Sequence, residues 1–124
     1  MKKHRFLLAV LVLTAAMSVF FVSAQDAGGA GARKICAIGG ADAFFAVVKN
    51  GADAAGAAVE AAGSTYTWIP LPNYDNIGPD MVKLIEQAVA QSCTGLAVPV
   101  WDGAAQTPAI QAAVGAGVNV FMYN

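Results

Sequence analysis

The stretch KICAIGGADAFFAVVKNGADAAGAAVEAAGSTYTWIPL, residues 34–71, contains one complete strand–helix–strand unit. Residues 34–39 are a short apolar run that ends in glycines, and residues 65–71 are rich in β-branched and aromatic side chains. Residues 42–63 between them have helical periodicity and close on Gly63, a favourable C-terminal cap. Because both strands are apolar throughout, they indicate buried strands of a parallel sheet.

The same alternation continues along the rest of the chain. Residues 78–92 carry Pro79 near their first turn and apolar residues at helical spacing, and residues 107–117 repeat the Pro start with a Gly stop. The apolar runs at 95–101 and 118–123 predict two further strands. The order β-α-β-α-β-α-β with right-handed crossovers predicts a doubly wound α/β parallel sheet of strand order 2-1-3-4.

The first 24 residues have the three-part layout of a secretory signal peptide. Basic residues precede an apolar run at positions 6–22, and Val22-Ser23-Ala24 predicts cleavage after Ala24. An uncleaved membrane anchor is the alternative, because an apolar run of 17 residues lies at the bottom of the membrane-spanning range. With cleavage favoured, we expect an exported protein without stable membrane insertion.

The mature chain is predicted to hold a flexible Gly/Ala-rich leader at 25–33 and one α/β domain at 34–124. A hydrophobic content of 57% with 12% charged residues excludes a disordered chain. Removal of the signal leaves 4 basic and 8 acidic residues, a net charge of 4 − 8 = −4. This scattered acidic excess makes nucleic acid and anionic membrane surfaces unfavourable partners.

The two cysteines leave their redox state open. An oxidising compartment permits a disulfide between Cys36 and Cys93 if their Cα atoms come within about 7 Å. Cys36 lies inside a predicted strand and Cys93 lies just before another. From those positions, two buried small apolar side chains are the favoured interpretation.

Ligands of doubly wound sheets bind beyond the carboxyl ends of the strands, near the point where the strand order reverses. Four segments are predicted there: Gly39–Phe45, Leu71–Asp75, Trp101–Gly103 and Asn124. In the helix that begins in the first segment, the charged residues Lys49, Asp53 and Glu60 share one face, which is predicted to face solvent. The opposite stripe is predicted to face the core and holds Phe44, Val47, Gly51, Ala54, Ala58 and Ala62. This phase places Phe45 near Lys49, facing the cleft.

An apolar ring beside a carboxylate suits a sugar, because the ring packs on pyranose C–H groups and the carboxylate accepts hydroxyl hydrogen bonds. Asp42 with Phe45 forms one such pair, and Trp101 with Asp102 forms another. A surface Phe and a helix-capping Asp102 are the structural alternatives. Turn chemistry is the default for residues 73–75.

Catalysis receives little support from the residues. The single histidine, His4, lies in the predicted signal, so neither a Ser-His or Cys-His couple nor a histidine metal site is available in the mature chain. No dinucleotide or phosphate-loop motif is present. An acid/base pair of Asp42 and Asp102 is left open, since their separation cannot be read from the sequence. Ligand binding without enzymatic chemistry, and without a cofactor or metal, is the favoured class.

Three stretches of the chain carry a family resemblance: KICAIGGADAFFAVVKNGADAAGAAVEAAG, LIEQAVAQSCTGLAVPVWD and TPAIQAAVGAGVNVFMYN. Together they resemble the first lobe of periplasmic sugar-binding proteins of the ribose-binding type. The resemblance implies a substrate-binding component of an ABC importer that works with permease subunits and closes two lobes over a sugar. It implies ligand contacts from Asp42, Phe44, Phe45 and Asn124, with Trp101 and Asp102 in a loop that varies with the ligand.

The chain also departs from that family. Ala43 replaces a proline that is common after the polar residue, and the family's second lobe has no counterpart in the 124 residues. We therefore expect an incomplete first lobe that is not competent for transport alone. The exported sensing domain of a chemoreceptor or sensor kinase is the alternative function, and a small exported hydrolase using Asp42 and Asp102 is the third.

Overall fold

The computed structural model describes residues 31–123. The predicted signal peptide, most of the predicted leader and Asn124 lie outside these described residues. Seven elements follow in chain order: β1 (Lys34–Gly39), α1 (Ala43–Ala61), β2 (Thr65–Pro70), α2 (Ile77–Ala90), β3 (Gly95–Pro99), α3 (Gly103–Gly115) and β4 (Asn119–Tyr123).

The four strands form one parallel sheet in the order β2-β1-β3-β4. The predicted α/β class and strand order are therefore confirmed. Strand β1 pairs with β2 along its whole length but pairs with β3 only from Ile35 to Ala37. Beyond that point the Ile38 carbonyl accepts a hydrogen bond from the Tyr123 hydroxyl at 2.5 Å. The strands thus part at the carboxyl edge, where the order of the sheet reverses.

The larger part of the core lies between the sheet and helices α2 and α3. Cys36 and Ile38 of β1 and Leu96 and Val98 of β3 point to this side and are buried with Met81, Ile85 and Ala113 of the helices. This alternation along each strand, with every second residue facing the same helices, is what a strand period of two requires. Within residues 31–123, no helix is both long enough and apolar enough to cross a membrane.

Helix α1 covers the opposite face of the sheet, and its inward positions correct the predicted helical phase. Its inward positions are Phe45, Lys49, Ala52, Gly56 and Val59. The predicted core stripe faces solvent instead: Phe44, Val47, Gly51, Ala54, Ala58 and Ala62 are all exposed. Because alanine occurs on every side of the helix, the apolar residues do not define its buried face, and the phase was predicted from the charged residues alone.

Lys49 and Asp53 lie on the half-buried side of α1, where their opposite charges are paired. The Lys49 ammonium and the Asp53 carboxylate form an ion pair at 2.5 Å. The Tyr66 hydroxyl of β2 donates to the other Asp53 oxygen at 3.4 Å. Burial and the neighbouring Asp53 charge raise the pKa of Tyr66 to about 12, so the phenol remains a neutral donor. Lys49 and Asp53, which were predicted to face solvent, therefore lie at the edge of the side of α1 that packs on the sheet.

The structure also joins the two cysteines, so the favoured interpretation of two free thiols was wrong. Cys36 and Cys93 form a disulfide with their Cα atoms 5.9 Å apart. Both are buried beneath α2 and α3. The bridge ties the middle of β1 to the turn that enters β3, a proximity that depends on the register of the sheet and not on local sequence.

Helix α3 begins four residues before its predicted start at Thr107. Asp102 precedes the first helical residue, Gly103, and its side chain accepts a hydrogen bond from the Ala105 amide. Pro108 consequently lies inside the helix and not in its first turn. The cap and the bonds it supplies outweigh the missing proline N–H, because only one intrahelical bond is lost. The predicted stop is confirmed at Gly117, which has a φ of 87°.

Candidate functional site

Asp42 is the polar centre of the carboxyl edge. It precedes α1, and its Oδ1 accepts a hydrogen bond from the Phe45 amide at 3.0 Å, which caps the helix. Its Oδ2 accepts a hydrogen bond from the Tyr74 hydroxyl at 2.5 Å. A carboxylate offers about four acceptor positions, so roughly two stay available on this exposed side chain.

The electrostatics of this pair keep Asp42 ionised and Tyr74 neutral near pH 7. The Tyr74 hydroxyl and then the Phe45 amide, both donating to the carboxylate, lower the pKa of Asp42. Desolvation, followed by the bond to Asp42, raises the pKa of Tyr74. A charged acceptor therefore stands at the edge with its orientation fixed by two donors from different loops.

Four aromatic side chains gather beside this carboxylate, and we call Phe44, Phe45, Tyr74 and Trp101 the aromatic cluster. The Phe45 ring meets the Trp101 ring edge to face with centroids 5.2 Å apart. Tyr74 meets the same Trp101 ring at 5.8 Å, and Phe44 meets Phe45 at 5.3 Å. Edge-to-face pairs at these distances are attractive beyond their buried area. The cluster joins the loops that follow β1, β2 and β3.

The two adjacent phenylalanines have different environments, and the structure reverses the burial predicted for them from helical phase. Phe45 is 9% exposed and packs within the cluster, whereas Phe44 is 71% exposed. The ring exposed to solvent is therefore Phe44, and the ring packed within the cluster is Phe45. The cause is the rotation of α1, since its buried stripe passes through Phe45 and on to Ala52 and Gly56.

The close approach of these rings requires a glycine at position 40. A Cβ on Gly40 would overlap both the Tyr74 hydroxyl and the Phe45 ring. Gly40 lies between the end of β1 and the Asp42 cap, so any side chain there would separate Tyr74 from Asp42. The glycines that end the first strand therefore serve a packing role in this site.

Asp102 and Trp101 occupy the turn between β3 and α3. Asp102 caps α3 through a bond from the Ala105 amide at 3.0 Å, so the capping interpretation of this residue is confirmed. Its Oδ2 faces the start of α2, where a Cβ on Gly78 would lie 2.7 Å away. Trp101 is half-buried and packs against the main core. The structure therefore joins Trp101 to Asp42 through Phe45 and Tyr74, whereas Asp102 is engaged with its own helix and α2.

A depression of about 370 Å³ opens next to the cluster, between the first half of α1 and the end of β2. Asp42, Phe45, Lys49, Trp68 and Pro70 line most of it. Its walls combine two aromatic rings with a carboxylate and an ammonium group. No protein-family model matches this chain, and no curated protein matches it. The resemblance to sugar-binding proteins therefore depends on the residues themselves.

Two residues of the site were missed by sequence reasoning. Tyr74 was assigned to turn chemistry, and the turn exists, because the Asn73 side chain accepts a hydrogen bond from the Asp75 amide. That turn directs Tyr74 to Asp42. Gln106 is the second residue, and its helical phase with the buried residues Ala109 and Ala113 of α3 is the signal that could have identified it. Among residues 31–123, no group of three His, Cys, Asp or Glu side chains is arranged to hold a metal ion.

Proposed function

We propose that this chain binds a sugar or similar neutral polyhydroxylated solute at the carboxyl edge of its sheet, as the substrate-binding component of an ABC importer. The main support is the ionised Asp42 carboxylate, which the Tyr74 hydroxyl and the Phe45 amide hold in place. It lies at the edge that carries the aromatic cluster, where the Phe44 ring is exposed. The carboxylate accepts hydrogen bonds from ligand hydroxyls, and the ring covers their C–H face.

The charges around the site favour a neutral ligand over an anionic one. Asp42 and Asp102 stand at the first and third loops, and Asp75 stands in the second. The Lys49 ammonium on the rim of the depression is already paired with Asp53. An anionic solute would meet uncompensated carboxylates at this edge, whereas hydroxyl groups donate to them.

The disulfide supports export. Disulfides persist in oxidising compartments such as the bacterial periplasm and are rare in the cytosol. The Cys36–Cys93 bridge is buried and closes a sequence separation of 57 residues, so it stabilises the fold where it forms. Together with the signal-like first 24 residues, this bridge favours the periplasm as the site of action.

Isothermal titration calorimetry of the chain against a panel of pentoses and hexoses tests the proposal. One wall contacting about a dozen non-hydrogen atoms at roughly 0.3 kcal/mol per atom gives a Kd on the order of 1 mM. Asp42→Asn keeps the helix cap but removes the charge, and we expect it to weaken binding about tenfold. Phe44→Ala should weaken it about fivefold through the lost ring contact.

Phe121→Ala is the matched control for Phe44→Ala. Phe121 lies on β4 and is 70% exposed, against 71% for Phe44, so the two variants remove the same ring from equally exposed positions. We expect Phe121→Ala to bind as the parent chain does. Absence of binding to every sugar, or equal weakening by both substitutions, would contradict the proposal.

A further inference from the structure

Gln106 is the one buried polar side chain in the part of the chain that the structure describes, with 0% of its surface exposed. Its Oε1 accepts hydrogen bonds from the Trp101 and Asp102 amides, each at 2.9 Å. Its Nε2 donates to the Pro99 carbonyl at 2.8 Å. A buried amide costs free energy unless it is bonded, and here one side chain satisfies three backbone groups.

The backbone partners fix the orientation of this amide. Two N–H groups face one end of the Gln106 side chain, so that end must be the oxygen. The Pro99 carbonyl faces the other end and requires a donor. A carboxylate, a thioether or an alkyl chain of the same length cannot supply this combination of two accepted bonds and one donated bond.

The three bonds brace the turn that links β3 to α3. They run from the last residue of β3 to the residues that carry the Trp101 ring and the α3 cap. The backbone N–H of Gln106 also donates to the Asp102 carbonyl at 2.9 Å. The β3–α3 turn is therefore bonded to the first turn of helix α3. Trp101 in turn contacts Phe45 and Tyr74, which orient Asp42.

We propose that Gln106 is a positioning residue of the ligand site, which sets where the Trp101 ring stands and thereby fixes the aromatic cluster. Its contribution to ligand affinity rests on the function proposed above, whereas its control of the Trp101 ring does not. Gln106 touches no ligand itself. Its effect passes through the Pro99–Asp102 turn to Trp101, then to Phe45 and Tyr74.

The test compares Gln106→Met with Gln106→Glu. The methionine has a similar length and keeps the volume filled but loses all three hydrogen bonds. Burial favours the protonated form of a glutamic acid at this position, and that form accepts from the two amides and donates its O–H to the Pro99 carbonyl. Trp68→Phe serves as the background for spectroscopy, because the chain has two tryptophans and this change leaves Trp101 as the single reporter. Acrylamide quenching and near-UV circular dichroism then follow the Trp101 environment without any ligand.

We expect Gln106→Met to raise the Trp101 quenching constant about twofold and to reduce the near-UV signal of the cluster, with Gln106→Glu closer to the parent. Thr107→Val is the matched control. Thr107 follows Gln106 in helix α3, is exposed, and donates its hydroxyl to the Gly103 carbonyl and not to the Pro99–Asp102 turn. It should leave the Trp101 signal unchanged. Unaltered quenching in a folded Gln106→Met chain, or the same change in Thr107→Val, would overturn the proposal.

Calorimetry with Trp68 intact separates this inference from the proposed function. If the parent chain binds a sugar, we expect Gln106→Met to weaken binding about tenfold and Gln106→Glu to restore most of the loss. A changed Trp101 signal with no sugar binding in the parent would refute the proposed function and leave the positioning role supported. If the parent chain binds a sugar and Gln106→Met binds it with the same affinity, the link from Gln106 to the ligand would be refuted. If Gln106→Met does not fold, the Trp101 quenching constant of Gln106→Glu is followed against pH. It should rise as the introduced carboxyl group ionises and loses the O–H that donates to the Pro99 carbonyl, and a constant that does not change with pH would count against the brace.

Discussion

Asp42 shows how one side chain serves both the fold and the site. One carboxylate oxygen caps α1 and the other accepts the Tyr74 hydroxyl. The sequence predicted Asp42 as a ligand residue from its place after β1, but it could not predict Tyr74, because that contact crosses from the β2–α2 loop. Phe44 and Phe45 were misassigned for a different reason. In an alanine-rich helix the partner of each face is decided by the Tyr66 and Trp68 rings of β2, which only the tertiary structure brings into place.

The Tyr74–Asp42 bond leads to a pH prediction. Because the folded chain holds the pKa of Asp42 below its ordinary value, the carboxylate contributes stability above the unfolded pKa near 4, and this is lost as the pH falls through the folded pKa. Tyr74→Phe removes the largest cause of the shift. We expect the pKa of Asp42 to rise towards its ordinary value in this variant, as followed by NMR titration of the carboxyl carbon.

Tyr66→Phe is the control for this titration. It removes a phenol of the same kind that donates to Asp53 and not to Asp42. The Asp42 titration should be the same in Tyr66→Phe and in the parent chain. An Asp42 pKa that does not change in Tyr74→Phe would show that the hydroxyl does not hold the carboxylate in solution.

At the scale of elements, the seven strands and helices were predicted in type and order, because buried apolar runs and Gly-capped helices have local signals. The predicted start of α3 was wrong. Pro108 indicates a helix that begins next to it, but the Asp102 cap and the hydrogen bonds of Gln106 start the helix at Gly103. The pairing of Cys36 with Cys93 was also missed. The disulfide depends on the register between β1 and β3, which the spacing of the two cysteines in the sequence does not reveal.

The bridge between these elements should stabilise the fold strongly. Closing a loop of 57 residues corresponds to about 4 kcal/mol by chain entropy, within a usual range of about 2–4 kcal/mol. We expect the double variant Cys36→Ala/Cys93→Ala to lose about 2–4 kcal/mol in urea unfolding and to be insensitive to reductant. Two free thiols in the folded, unreduced parent, detected by alkylation and mass spectrometry, would contradict the bridge.

At the scale of the whole molecule, the sheet order places the ends of β1 and β3 beside each other, with the β2 and β4 ends outside them. Three loops from different parts of the chain therefore meet at one edge, and the aromatic cluster is their junction. The strand order predicted from the sequence is confirmed. Ligand binding at the carboxyl edge, predicted in the same way, stays a prediction. What the sequence left out is the set of contacts between loops that orients Asp42 and exposes Phe44.

The most direct test of the account is a two-dimensional NMR titration of the isotope-labelled chain with the sugar panel, because it detects millimolar binding and locates it. If a sugar binds at the carboxyl edge, we expect concentration-dependent shifts of the Asp42, Phe44 and Phe45 amides and of the Trp101 indole N–H. The comparison region is the opposite edge of the sheet, where Ser92, Thr94 and Gly117 line a second depression of about 300 Å³. Shifts confined to that region, or no shifts with any sugar, would contradict a polyol site at the carboxyl edge.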